Sequence, residues 1–263
     1  MGCRGSGFGC VVAVIHPMDG ESAPETGSDR GHPRVEHGYE RLPIALRPGD
    51  PEHRWPVLIA LVAAVALQLA VPPQHTIVPR WPLVSLEVLL LGVLVIINPT
   101  RLTRSTRLET VASKVLLAAI TLDNVASAVV LDHAILSGRV SNDPAILLGS
   151  GTAIFLTNII AFGIWYWDID RGGPFARAGL TDDGEVRYPD FMFPQTENPH
   201  LAPADWTPRF ADYLYVSFTN VVAFSPTDAM PMTRRAKTLM ALQATVAIST
   251  LALVIARAVN VLG

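Results

Sequence analysis

The chain has 263 residues and a net charge of −3; 50% of its residues are hydrophobic and only 16% are charged. Soluble domains carry about a quarter charged residues, and the mean hydropathy here is +0.35, which argues against a water-soluble globular fold. The near-neutral balance offers nothing to nucleic acid, and the two cysteines, Cys3 and Cys10, support neither a disulfide framework nor a metal site.

Residues 1–54 hold Gly, Pro, His, Glu and Arg without apolar periodicity, which predicts a solvated, disordered tail. The apolar run 7–15 is too short to cross a bilayer and lacks a small-residue cleavage pattern. Met1 and Met18 each offer a start.

Five apolar runs follow at 55–72, 81–98, 111–132, 145–167 and 238–262. Each approaches the ~20 residues that a helix needs to cross a bilayer. Trp55 and Trp81 open the first two runs, and Trp165, Tyr166 and Trp167 close the fourth; such amphipathic rings concentrate at the headgroup level. Trp55-Pro56 and Trp81-Pro82 suit a first helical turn, where the missing N–H costs nothing. The fold class is therefore all-α: a polytopic membrane protein of five transmembrane helices, with a sixth, partial element at 212–231. The tail is followed by three helices within 55–134. A second region, 145–262, holds the fourth helix, a polar link at 168–210, the partial element and the final helix.

The loops set the orientation. Arg101, Arg104, Arg107 and Lys114 crowd the link between the second and third runs, and Arg41, Arg47 and Arg54 precede the first. Both regions belong in the cytoplasm by the positive-inside rule. The outer loops are then 71–80 and 133–144. The link 168–210, rich in Pro and acidic residues, returns to the cytoplasm as an irregular, solvated loop.

The third run carries Asp123 and Asn124 near its midpoint. An ionisable group there costs roughly 2.5–3.5 kcal/mol on insertion scales, so it serves function or binds neighbouring helices together. Its expected partners are polar groups of the fourth run: Ser150, Thr152, Thr157 or Asn158. Gly149 and Gly151 on the same run allow close helix approach. Glu87, nearer the outer interface, is expected to snorkel.

The stretch 217–237 starts as a weakly amphipathic helix at 212–223, breaks into a polar run at 225–231 and resumes as a hydrophobic helix at about Thr238. Irregular backbone at membrane depth is tolerated only where protein covers it or it lines a cavity, so this segment reads as a re-entrant loop. It resembles the pore loop of potassium channels, S-F-T-T-x-T-T-V-G-Y-G-D-x-x-P-x-T, with Ser217, Phe218, Thr219, Asp228, Pro231 and Thr233 at matching positions. The resemblance implies pore-loop roles for Thr219, Asn220, Ser225, Pro226, Thr227 and Asp228. The filter V-G-Y-G is replaced by Phe224-Ser225-Pro226-Thr227. Stacked carbonyls need backbone freedom that these residues lack, so no potassium filter forms here. In the channels the loop dips from outside, whereas the loop charges place this one inside.

Over most of 55–262 the chain also resembles an uncharacterised bacterial family of multi-pass membrane proteins. That pattern has four spans, a polar link, an aromatic Y-F-S-F-type segment, a short S-D turn, basic residues and a final span. Asp212–Phe218, Thr227-Asp228 and Arg234-Arg235 carry the likeness.

Scattered histidines and the absence of H-E-x-x-H, C-x-x-C or a nucleophile elbow around Ser217 or Ser225 argue against catalysis, a cofactor or a metal. Two functions are expected from this reading. One is a channel-like, homo-oligomeric pore of the cell membrane, passing ions or small solutes without potassium selectivity. The other is a non-conducting accessory or structural subunit.

Overall fold

The computed structural model describes residues 49–71, 80–97, 107–139, 143–180, 187–203, 206–223 and 228–262. The tail up to residue 48 lies outside them, as do Ser225, Pro226 and Thr227.

Six helices of ten or more residues form the body: α1 (Trp55–Ala70), α2 (Arg80–Ile97), α3 (Arg107–Leu136), α4 (Pro144–Ile169), α7 (Phe210–Val222) and α8 (Arg234–Leu262). Between α4 and α7 lie two short helices, α5 (Pro174–Arg177) and α6 (Pro194–Glu197), and strand β1 (Phe191–Met192). Strand β2 (Met230–Pro231) pairs antiparallel with β1, Phe191 opposite Pro231. Among the described residues, three helical segments are long and apolar enough to cross a membrane: Thr110–Leu136, Pro144–Gly172 and Arg234–Asn260. The shorter helix Trp55–Ala70 is also apolar.

Local chemistry sets the helix ends. Asp143 caps α4, accepting from the Ala145 N–H at 2.9 Å, with Pro144 in the first turn. α3 runs past residue 132 to Leu136, and Gly138 ends it at φ 68°, with the Arg139 N–H donating to the Ala134 carbonyl. α8 starts at Arg234, four residues before the expected Thr238, because Thr233 caps it: its Oγ1 accepts from the Ala236 N–H at 3.3 Å.

α4 is the central helix, packing on α1, α3, α7 and α8. One apolar core joins α1, α3, α4, α7 and the link through Leu61, Ile120, Phe162, Tyr166, Phe191 and Tyr213. A second, at the other end, joins Val71, Leu131, Leu147 and Val254. Two glycines set the spacing. A Cβ at Gly151 would lie 2.9 Å from the Val254 side chain of α8, and one at Gly163 would lie 3.1 Å from the Leu214 Cα of α7. Gly149, expected to serve the same purpose, has open space beside it.

Two expectations are corrected. The link 168–210 is not a solvated loop; it buries Asp170, Arg171, Arg177, Asp190, Phe191 and Phe193. The reason is that its aromatic residues dock on α4 and α7: Phe191 against Tyr166 and Tyr213, Phe193 against Tyr213 and Trp206. Glu87 does not snorkel. It is fully buried on α2, beside Gln68 of α1 and close enough to Asp123 for the two carboxyls to feel each other's charge. Glu87 of α2 is thus a neighbour of Asp123.

Candidate functional site

The end of α4 builds the site through an abrupt reversal. Arg171, Gly172 and Gly173 all have positive φ (52°, 80° and 96°), a conformation that glycine adopts readily and arginine does not. The turn folds α5 back under α4, so that Arg177 donates to the Trp167 and Asp170 carbonyls at 2.7 and 2.9 Å. A cation at the C-terminus of a helix complements its dipole. Glu52, just before α1, completes the pair with Arg177 at 2.9 Å and accepts from Trp167 Nε1 at 2.8 Å. The guanidinium also lies over the Trp167 and Tyr213 rings, 5.7 and 5.1 Å from their centroids. Burial alone would disfavour the Arg177 charge; the oxygens of Tyr213, Glu52 and Asp170 outweigh it and hold its pKa above the usual arginine value.

Two carboxylates extend this knot. Asp170 accepts from the Asp190 and Phe191 N–H groups at 2.6 and 3.1 Å and from the Tyr213 hydroxyl at 2.6 Å. Asp190, fully buried, accepts from Thr233 Oγ1 and Arg235 Nε at Oδ1 and from the second Arg235 nitrogen at Oδ2, each at 2.5 Å. Such a fork-on-fork pair fixes direction as well as charge. The knot therefore ties residue 52, the end of α4, the link and the starts of α7 and α8 together.

Deeper in the bundle, the polar face of α7 is fully engaged. Ser217 Oγ donates to the Ile159 carbonyl of α4 at 2.6 Å. Gln243 of α8, with no exposed surface, donates to Ser217 Oγ at 2.7 Å and accepts from Asn220 at 2.9 Å and from the Tyr166 hydroxyl at 2.5 Å. Asn220 also donates to the Met240 carbonyl at 3.0 Å. Thr219 Oγ1 bonds back to the Tyr215 and Val216 carbonyls of its own helix. Thr219 and Asn220 are buried, and their side chains pack into the bundle. Asp228 is half-buried and lies within charge range of Asp212, at the opposite end of α7 from Asn220.

Among the intramembrane polar residues, Asn124 and Asn158 are buried. Among the described residues, Asn124 Nδ2 and both side-chain polar atoms of Asn158 have no hydrogen-bond partner, nor has Thr157 Oγ1. Asp132, further along α3, lies beside Ser249 and Thr250 of α8.

A cavity of about 280 Å³ opens beside the knot, between the start of α1, the ends of α2 and α4, the start of α3 and the 172–175 turn. Its floor is apolar, including Val57, Leu61, Leu94 and Leu117; Arg54, Lys114, Arg187 and Asp168 stand among the polar residues that line it.

Most of this end of the molecule lies outside the pore-like stretch 217–237. The signal was present in 165–173, Trp-Tyr-Trp-Asp-Ile-Asp-Arg-Gly-Gly, where two acids, a base and two glycines follow directly on interfacial aromatics. No protein-family model, curated protein or solved structure matches this chain.

Proposed function

We propose that this chain is a multi-pass protein of the cell membrane, with five crossing helices and a re-entrant α7, acting as a non-conducting structural or accessory subunit. The observation that carries the non-conducting reading is the Ser217–Gln243–Asn220–Tyr166 network. Asn220, one of the residues that would line a path, is spent holding α7 to α8, Ser217 holds α7 to α4 and α8, and polar side chains satisfied inside the bundle rigidify it.

Several relations support the re-entrant course. α7 has 13 residues, about 20 Å of helix, against a hydrocarbon core of roughly 30 Å. Tyr213 at its start joins the knot through Asp170, and Asn220 near its end meets Gln243, well inside α8. α7 and α8 thus run side by side in the same direction from the knot. β2, paired with β1, and Asp228, within charge range of Asp212, both lie back towards the knot end. α1, at 16 residues or about 24 Å, is short for a crossing helix; local bilayer thinning accommodates such a length.

The starts of α1, α3, α7 and α8 and the ends of α2 and α4 share the knot end. Arg54, Lys114, Arg187, Arg234 and Arg235 gather there, which favours a cytoplasmic placement.

A second reading is an unselective pathway between copies of the chain. It is favoured by the exposed apolar face of α7, Tyr215, Phe218 and Val222, beside an open groove of about 810 Å³ that Leu156 and Leu214 also line. Purified protein is reconstituted in liposomes, its oligomer mass determined in detergent, and ion flux measured under potassium, sodium and chloride gradients. A monomer without flux supports the accessory reading. Flux abolished by Asp228→Asn would replace it with the pore.

A further inference from the structure

The cavity beside the knot has two chemically distinct halves. Val57, Leu58, Leu61, Leu94, Leu117 and Ile164 form a floor that continues the apolar core. Among the described residues, Arg54, Lys114, Arg187 and Asp168 supply its charged lining. Thr110 and Ser113 add hydroxyls. The cations come from three separate parts of the chain, so the fold, not a local run of basic residues, assembles them. The turn contributes too. Gly172 has positive φ, and a Cβ there would run into the Arg187 guanidinium, so this glycine lets Arg187 lie directly over the turn. A volume of about 280 Å³ is close to the lower end of small-molecule sites.

The geometry points to a binding site for an anionic amphiphile, with a phosphate or carboxylate head among Arg54, Lys114 and Arg187 and an apolar tail along the Leu61–Leu117 floor. The warrant is complementarity. Arginine and lysine are the side chains that hold phosphate and carboxylate groups, and basic pockets between helices at the cytoplasmic side are where anionic headgroups bind. An apolar floor without such a rim would select no charge, and a rim without the floor would suit a soluble anion. The site stands apart from the α7 network and holds whether or not α7 conducts.

The full chain is purified into phosphatidylcholine nanodiscs, and retention of phosphatidylglycerol is measured by native mass spectrometry and by competition with a labelled analogue. We expect one phosphatidylglycerol to be retained over phosphatidylcholine. The double variant Lys114→Gln/Arg187→Gln should weaken it at least tenfold, and Leu117→Trp, which fills the floor, should do the same. Lys237→Gln, a basic residue at the same end but outside the cavity, should leave it unchanged. Ser113→Asp provides a second test of the rim if the double variant unfolds. Equal retention of phosphatidylcholine, or an equal loss with Lys237→Gln, would overturn the site. Competition by inorganic phosphate at millimolar concentration, with Leu117→Trp without effect, would overturn the amphiphile in favour of a soluble anion.

Discussion

Ser217 and Gln243 meet in the middle of the bundle, the glutamine Nε2 donating to the serine Oγ at 2.7 Å while the serine donates onward to the Ile159 carbonyl. One side chain of α8 thereby joins α7 to α4. Neither residue is exposed to any extent. α7 is thus fastened to both neighbours through buried polar atoms.

Replacing Gln243 by Leu removes the shared partner of Ser217, Asn220 and Tyr166. A buried polar group left unsatisfied costs about 1–3 kcal/mol, so Gln243→Leu should lower the Tm in detergent by several degrees. Thr245→Val, at an exposed site bonded only to its own helix, should leave it almost unchanged. Equal Tm values for the two variants would show that the network adds nothing to the packing.

Arg177→Met takes the buried guanidinium away from the half-buried Glu52, which keeps only its Trp167 bond, and removes the cation from the end of α4. Breaking one side of a buried ion pair costs about 3–5 kcal/mol. Arg177→Lys should recover little, because a single ammonium cannot reach two carbonyls and a carboxylate as a planar fork does. Chemical denaturation in detergent, with the exposed Arg209→Ala as control, checks both variants. Full recovery by lysine would reduce the knot to a simple charge contact.

Gly163 and Gly149 of α4 should separate cleanly. Gly163→Val drives a side chain into the α7 backbone at Leu214 and should cost about 1–3 kcal/mol through overpacking. Gly149→Ala meets open space and should be neutral or stabilising by up to about 1 kcal/mol, through helix propensity. Thermal unfolding of both variants decides the matter; a destabilised Gly149→Ala would mean that this face is covered by another copy or another protein.

The course of α7 is testable by labelling. In a chain with Cys3 and Cys10 replaced by Ser, single cysteines are introduced at Ser105, Tyr188, Met230 and Ser137. An impermeant maleimide applied to intact cells should reach only Ser137→Cys. Labelling at Met230→Cys with protection at Tyr188→Cys would mean that α7 crosses the membrane fully.

Helix positions were legible because apolar composition sustained over about 20 residues has few alternatives to a buried helix. The expected runs 55–72, 81–98, 111–132, 145–167 and 238–262 each overlap a helix whose bounds differ by no more than four residues. The differences come from capping by Thr233 and termination at Gly138, which average hydropathy does not register. The helix at 212–223 was legible from its weakly amphipathic period, and its polar face is the one that α4 and α8 cover.

What the sequence alone determined, then, was class and element order, since these follow from local composition and its period. Partners were decided only by tertiary structure. Asp190 and Arg235 are 45 positions apart, Glu52 and Arg177 are 125 apart, and no spacing rule joins them. The polar link appeared solvated because Pro and acidic residues usually are; it is buried because Phe191 and Phe193 dock on Tyr166, Tyr213 and Trp206 and carry Asp190 in with them. Whether a charged residue faces water or a counter-charge depends on what the rest of the chain brings beside it, and that is a property of packing.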